Sequence, residues 1–411
     1  MTRSGNNLLL LGMLSLQQAC NAPVNKEKPV YTKGSYGYAA DFLKENTKRV
    51  LELSTDDGMS KVLLSADYQG RVMTSTADGD SGISFGWINY DLIGKRTKKA
   101  QFNPVGGEER FWLGPEGGQY SLYFAKGDSF NISHWQVPPI IDTIPYQVLD
   151  KDSTSVTFTK EAKLKNYSGT DFHFVIQRRI SIIDKSKLAD MFSFSIPDDV
   201  KSVAYQTTNG IKNIGTEAWT KDKGLMSIWL LGMMTPTPAT VVMIPFSGGK
   251  NAKQNITDDY FGKIPADRLV VKDSVLYFQC DGKQRGKLGL SPAIAKTFAA
   301  SYDFENNVLT FINFPVDKLG NYVNGKWEIQ KEPYKGDVVN AYNDGPLADG
   351  SQLGPFYEIE SSSAAKELGA GDIQTYQQVT CHLQGSYESL KKIVHDLLHI
   401  DLDDVKTTMK K

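Results

Sequence analysis

Apolar and polar residues alternate with a period of two along most of this chain. Val62-Leu63-Leu64-Ser65, Ser155-Val156-Thr157-Phe158, Phe174–Ile182, Thr240–Phe246, Val275–Phe278 and Val308–Phe314 all follow it. Successive side chains of an extended backbone point to opposite sides, so these runs predict strands with one buried face. Breaks rich in Gly, Asn and Asp separate them, at Asp78-Gly79-Asp80, Asp281-Gly282, Asn306-Asn307 and Asn343-Asp344-Gly345. Such residues supply turns. The period changes only near the ends. Tyr38–Lys48 predicts a short helix. Leu390, Ile393, Val394, Leu397 and Leu398 recur at helical spacing, so Tyr387 to about Asp403 predicts an amphipathic helix lying on the domain. No repeat of roughly 20–50 residues is present, which argues against a propeller or solenoid. A chain of 411 residues would ordinarily suggest two domains. No Pro/Ser-rich linker interrupts residues 35–385, however, and one continuous all-β sandwich over residues 35–411 is the simplest architecture.

Composition sharpens this picture in two places. A formal net charge of -1 offers no long-range field for DNA, RNA or an anionic membrane, so nucleic acid is not an expected partner. The 19 Tyr, 19 Phe and 6 Trp suit strands, and their faces also suit the C–H groups of sugars. A β-rich core by itself would account for many of them.

The N-terminus reads as an address. Arg3 precedes the apolar run Leu8–Leu16, and Gln17-Gln18-Ala19-Cys20 follows. Charged, apolar and small-residue regions in that order predict a secretory signal over residues 1–20. The apolar run is too short for the roughly 20 residues that span a bilayer. A cysteine directly after Ala19 resembles the lipobox of bacterial lipoproteins, with Gln17 where that box usually carries Leu. It implies lipidation at Cys20, a membrane anchor, and a place in a Gram-negative cell envelope (periplasm, outer membrane or cell surface). Plain secretion with Cys20 incidental is the alternative. Residues 21–34, with Pro23 and Pro29, read as a polar tether. Cys280 and Cys381 either pair or remain buried free thiols.

Two further segments carry a family resemblance. One is Gly106-Gly107-Glu108-Glu109-Arg110-Phe111-Trp112-Leu113-Gly114-Pro115-Glu116-Gly117-Gly118. The other runs from Tyr342-Asn343-Asp344-Gly345-Pro346 through Gly354-Pro355-Phe356-Tyr357-Glu358-Ile359-Glu360-Ser361 to Leu368-Gly369-Ala370-Gly371-Asp372. With Trp219 and Trp229–Met233, they resemble uncharacterised bacterial lipoproteins with a galactose-mutarotase-like fold, and the last segment resembles the closing strands of aldose 1-epimerases. The resemblance implies a supersandwich of two twisted antiparallel sheets with a sugar site in its concave face. Relatives on that fold include mutarotases, domains of glycosidases and polysaccharide lyases, and non-catalytic glycan-binding modules, and fold alone does not choose among them.

The candidate chemistry follows from alternation. In a strand, Phe356, Glu358 and Glu360 share one side and Tyr357, Ile359 and Ser361 the other. Carboxylates accept hydroxyl protons, an aromatic ring stacks on a sugar, and a carboxylate suits the base that opens a sugar ring. The resemblance puts the epimerase base at Glu358 or Glu360. His134, beside the stacking platform Trp135, is the candidate acid. Epimerases carry an Asn-His step, which this chain lacks. Arg110 and Glu116 are expected to bind substrate. Arg178 interrupts the apolar face of Phe174, Ile176, Ile180 and Ile182, and either holds a structural carboxylate or lines the site. No metal or cofactor is expected. His395 and His399 are four apart but face away from the apolar stripe with no third ligand. Asp78-Gly79-Asp80 lacks the rest of a calcium loop, and neither a phosphate loop nor a Gly-x-Ser-x-Gly elbow occurs. A sugar epimerase, a glycan-binding protein, and a hydrolase or lyase are the functions left open.

Overall fold

Nineteen strands account for most of the regular structure in a computed structural model of the chain, which describes residues 1–2, 29–249 and 252–409. Cys20 and the signal-like segment lie outside those residues. All nineteen strands belong to three antiparallel sheets in the unit Tyr31–Lys411. The largest has ten strands, in the order 269–272, 275–279, 240–245, 298–303, 308–313, 373–384, 201–213, 171–183, 155–165 and 147–151. A six-stranded sheet follows the order 256–257, 286–290, 339–343, 357–362, 227–234 and 110–114. A small sheet is built from 50–54, 61–65 and 71–76. The all-β class expected from period-two alternation is therefore what the chain adopts, and the two larger sheets are the antiparallel pair that the family resemblance implied, with a third, small sheet beside them.

Every strand named from the sequence is present, and the alternation decides which side is buried. In Asp171–Ile183 the even-numbered residues Phe172, Phe174, Ile176, Arg178, Ile180 and Ile182 are buried. They join Ile228, Leu230, Leu288 and Ile359 of the six-stranded sheet in one apolar core. Polar contacts cross it too: Tyr357 Oη lies 2.8 Å from Ser301 Oγ, and Ser361 Oγ donates to Gln378 Oε1 at 2.7 Å. Burial on this scale, at about 25 cal/mol per Å² of apolar surface, is the main stabilising term.

The opposite face of the ten-stranded sheet is covered by helices. Leu390, Ile393, Val394 and Leu398 of the helix Tyr387–Leu398 pack with Tyr302, Phe311, Leu383 and Cys381. Ser386 Oγ caps its first turn by accepting from Ser389 N. The single C-terminal helix expected to about Asp403 is instead two. His399 turns left-handed at φ +59°, and Asp401 caps a second helix, Leu402–Thr408. Near the N-terminus, Ser35 sets the start of helix Tyr36–Asn46, two residues earlier than the pattern predicted. Tyr36, Ala39 and Leu43 pack it onto Leu63 and Met73 of the small sheet. Cys280 and Cys381 are free and buried. Cys280 lies in the inter-sheet core and Cys381 in the layer under the C-terminal helices. Neither His395 nor His399 is buried, and among the described residues no group of three His, Cys, Asp or Glu could hold a metal ion.

Candidate functional site

The face of the six-stranded sheet turned away from the core gathers the chemistry. Pairing fixes who stands beside whom: Lys287 opposite Tyr342, Tyr342 opposite Glu358, Glu358 opposite Met233. One step along, Gly289 stands opposite Asn340, Asn340 opposite Glu360, Glu360 opposite Leu231, and Leu231 opposite Arg110. Trp112 pairs with Trp229. Every residue of strands 110–114 and 227–234 is buried, because the core covers one face and loops cover the other.

Glu358 and Glu360 do share this face, as alternation required, but their surroundings differ. Glu358 forms a short ion pair with Arg110 Nη2, whose guanidinium also lies 5.0 Å from the Trp112 ring. Burial pushes the Glu358 carboxyl well above the usual carboxylate range. Arg110 opposes that shift and the nearby Glu360 adds to it. Glu360 is fully buried. Its Oε2 accepts from Trp229 Nε1 at 2.9 Å and from Lys287 Nζ at 3.0 Å, its Oε1 meets no N–H or hydroxyl donor among the described residues, and the Glu358 carboxyl lies within hydrogen-bond reach of it. The Lys287 ammonium sits 4.8 Å from the Trp229 ring and 5.7 Å from that of Tyr260. Burial alone would lower its pKa, but Glu360, Glu116 and Glu358 outweigh that and raise it.

Glu116 stands half-buried at the edge of this group. Burial raises its carboxyl, Lys287 lowers it, Glu360 raises it, and the indoles of Trp327 and Trp135 oppose the rise. Trp135 stacks between Tyr123 and Trp327, at 6.2 and 5.9 Å, with its indole N–H toward the Glu116 carboxyl. Asp337 joins from the loop before strand 339–343. Its Oδ2 accepts from Tyr260 Oη at 2.7 Å, and burial raises its pKa to about 6. Gly289 makes room for it: a Cβ there would lie 2.1 Å from Asp337 Oδ2.

The other candidates lie elsewhere. His134 is exposed on a loop, its Nδ1 3.0 Å from Ser129 Oγ, and it contacts none of these carboxylates. A four-residue surface turn, Asn131–His134, turns the ring outward while the adjacent Trp135 turns in. Arg178 is in the inter-sheet core. It donates to Gly70 O, Asn209 Oδ1 and Glu109 Oε1 at 2.9, 2.7 and 2.8 Å, so of its two readings the structure shows the structural carboxylate. Phe356 precedes the strand and is enclosed by Trp87 and Tyr342 at 4.9 and 5.9 Å, which leaves no face open for stacking.

Sequence reasoning assigned no role to Lys287, Trp112, Asp337, Tyr260 or Trp327. Lys287 left a faint signal, a lysine between the buried Gly286 and Leu288 of one strand. The remainder depend on which strands neighbour which.

A comparison with curated proteins finds no match. Among solved structures, a protein from Synechocystis sp. PCC 6803 shares the fold at 10% identity and a TM-score of 0.51, covering 83% of this chain and 98% of that one. A candidate aldose 1-epimerase from Escherichia coli K12 aligns at 12% identity and TM-score 0.48, over 82% of this chain and 99% of its own. A galactose mutarotase-like protein from Lactobacillus casei ATCC 334 aligns at 10% and 0.47, over 81% and 99%. The family model that matches residues 34–409 is described as a family of unknown function, DUF6786, and the chain belongs to that family.

Proposed function

We propose that the outer face of the six-stranded sheet binds a saccharide, and that Glu360 is its base. One observation carries this. Glu360 is a fully buried carboxylate held by Trp229 and Lys287 at one oxygen, with no donor near the other but the neighbouring Glu358 carboxyl, on a face lined by tryptophans. A buried acceptor without a donor is costly unless a ligand supplies one, and a sugar hydroxyl is such a donor. Arg110, Glu116, Trp135 and Glu358 complete the lining. The mutarotase-like names of two structural neighbours agree with the ligand class.

For ring opening, Glu360 Oε1 takes the anomeric hydroxyl proton while an acid protonates the ring oxygen. His134 is too far out for that role. Asp337, on the neighbouring strand's approach and with a raised pKa, takes it instead. The remoteness of His134 also favours a second reading, capture of a glycan without turnover. NMR of α/β equilibration across a set of aldoses tests both. The wild type is expected to accelerate one sugar, and Glu360→Gln to lose about 10²- to 10⁴-fold of that rate. Binding without acceleration points to the non-catalytic reading, and neither effect discards the site. We propose further that the protein is exported and anchored through a lipid on Cys20, on the strength of the lipobox-like segment alone.

A further inference from the structure

Beyond the buried carboxylates, the same sheet face runs out to a guanidinium that stands open. Arg285 ends the turn leading into strand 286–290, two residues before Lys287. Two residues of extended backbone put the two side chains on one side, about 7 Å apart along the chain. The cations deeper in are taken: Arg110 pairs with Glu358, and Lys287 with Glu360. The Arg285 guanidinium makes no hydrogen bond or ion pair with the described residues. The acids closest to it in the ladder are occupied. Asp344, next to the last register pair of Gly286 and Asn343, accepts from Tyr342 Oη at 2.8 Å and from Gly354 N at 3.0 Å. Asp281 is held by both terminal nitrogens of Arg268. Lys283, exposed on the same turn, adds a further positive charge at this end.

What the guanidinium does touch is a ring. It lies 3.8 Å from the centre of Phe261, a residue 44% exposed. A single exposed phenylalanine is ordinary, but this one is held in position. Tyr260, its neighbour in the chain, reaches into the site and donates to Asp337, and Asp259 pairs with Lys326. Phe261 itself packs edge-on against Tyr342 at 5.9 Å. Tyr342 stands opposite both Lys287 and Glu358, and its hydroxyl is within electrostatic reach of Arg285 and Glu358 alike. One aromatic side chain thus separates the open guanidinium from the carboxylate pair.

Stacking fixes the plane of the Arg285 fork and leaves its N–H donors unclaimed. Such a fork matches a carboxylate at two points, and the ring beside it offers an apolar surface to sugar C–H groups. The interior has the opposite preference. Glu116, Glu358 and Glu360 line it, so an acidic sugar would meet like charge there. We infer that the ligand is an acidic oligosaccharide: a neutral unit occupies the carboxylate-lined face, and the carboxylate of the adjoining uronate unit is held by Arg285 beside Phe261. The inference rests on the saccharide proposal and deepens it by a second subsite and a charge.

A glycan array probed with the full chain, followed by calorimetry, tests this. The array holds neutral, uronate-containing and sulfated oligosaccharides. Hits are expected among glycans in which a uronate adjoins a neutral sugar. The strongest is then compared with its carboxyl-reduced form, which keeps every linkage and loses only the charge. Reduction should weaken binding at least about tenfold, the scale of one charge-assisted hydrogen bond. Arg285→Ala should weaken the acidic glycan by a similar factor, leave the reduced one unchanged, and remove most of the salt dependence. Arg285→Lys keeps the charge without the fork and should recover part of the affinity. Circular dichroism checks that the half-exposed position leaves the fold intact. Equal binding of the acidic and reduced forms, hits confined to neutral or sulfated glycans, or a preference that survives Arg285→Ala overturns the inference while leaving a saccharide site. An array without hits, beside accelerated equilibration of a free aldose, overturns it too. Silence in both experiments removes the saccharide proposal as well.

Discussion

At Asp337, burial moves the carboxyl from the ordinary 3.8 to about 6, even though Tyr260 and Thr257 donate to it. A raised acid pKa means that between these two values the folded state holds more protons than the unfolded chain. Asp337 therefore lowers stability as pH rises through that window, and above it the full cost remains. Asp337→Asn is expected to remove this slope, flattening unfolding free energy between about pH 4 and 6 relative to wild type in urea titrations. An unchanged slope would mean that Asp337 is not held protonated. Other single residues show the limits of sequence. Alternation put Glu358 and Glu360 on one side of a strand, but the partners that distinguish them, Arg110 in one case and Trp229 with Lys287 in the other, arrive from strands more than 70 residues away.

Among the elements, strand Asp171–Ile183 shows how one charge ties the layers together. Arg178 interrupts its apolar side, and Glu109, which it meets there, also accepts from Gln378 Nε2 at 2.9 Å. Gln378 in turn accepts from Ser361 of the six-stranded sheet. The network thus links strand 171–183, strand 373–384 and the strand that carries Glu358 and Glu360. Removing one member leaves a buried charge without its partner, at a typical cost of about 3–5 kcal/mol. Arg178→Met should lower unfolding free energy by about that much, and adding Glu109→Gln should recover part of it. A loss under about 1 kcal/mol would mean the pair is not as dry as its burial indicates. The sequence flagged Arg178 as a misplaced charge in an apolar face. It held no sign that the carboxylate would be Glu109, which neighbours Arg110 in the chain yet points to the opposite side of the structure.

For the whole molecule, both faces of the large sheet are covered, one by the six-stranded sheet and the other by helices. The site lies on the far side of the smaller sheet, away from the C-terminal helix layer. If Cys20 is lipidated as proposed, Cys20→Ser should abolish incorporation of labelled palmitate and move the protein from the membrane fraction to the soluble one. Continued labelling of Cys20→Ser would remove the anchor proposal. Fold class, the strand positions and the apolar stripe of the helix Tyr387–Leu398 were all readable from period alone, because a side chain's direction along an extended or helical backbone is a local matter. The site was not. Lys287, Trp112, Trp229, Glu360 and Asp337 are scattered between residues 112 and 360 of the chain and meet only through strand order and register. The enclosure of Phe356 was likewise settled by residues that arrive from elsewhere, Trp87 and Tyr342, whereas the exposure of His134 follows from its own surface turn. Local alternation says which side of a strand a residue takes, and only the completed tertiary structure says what stands across from it.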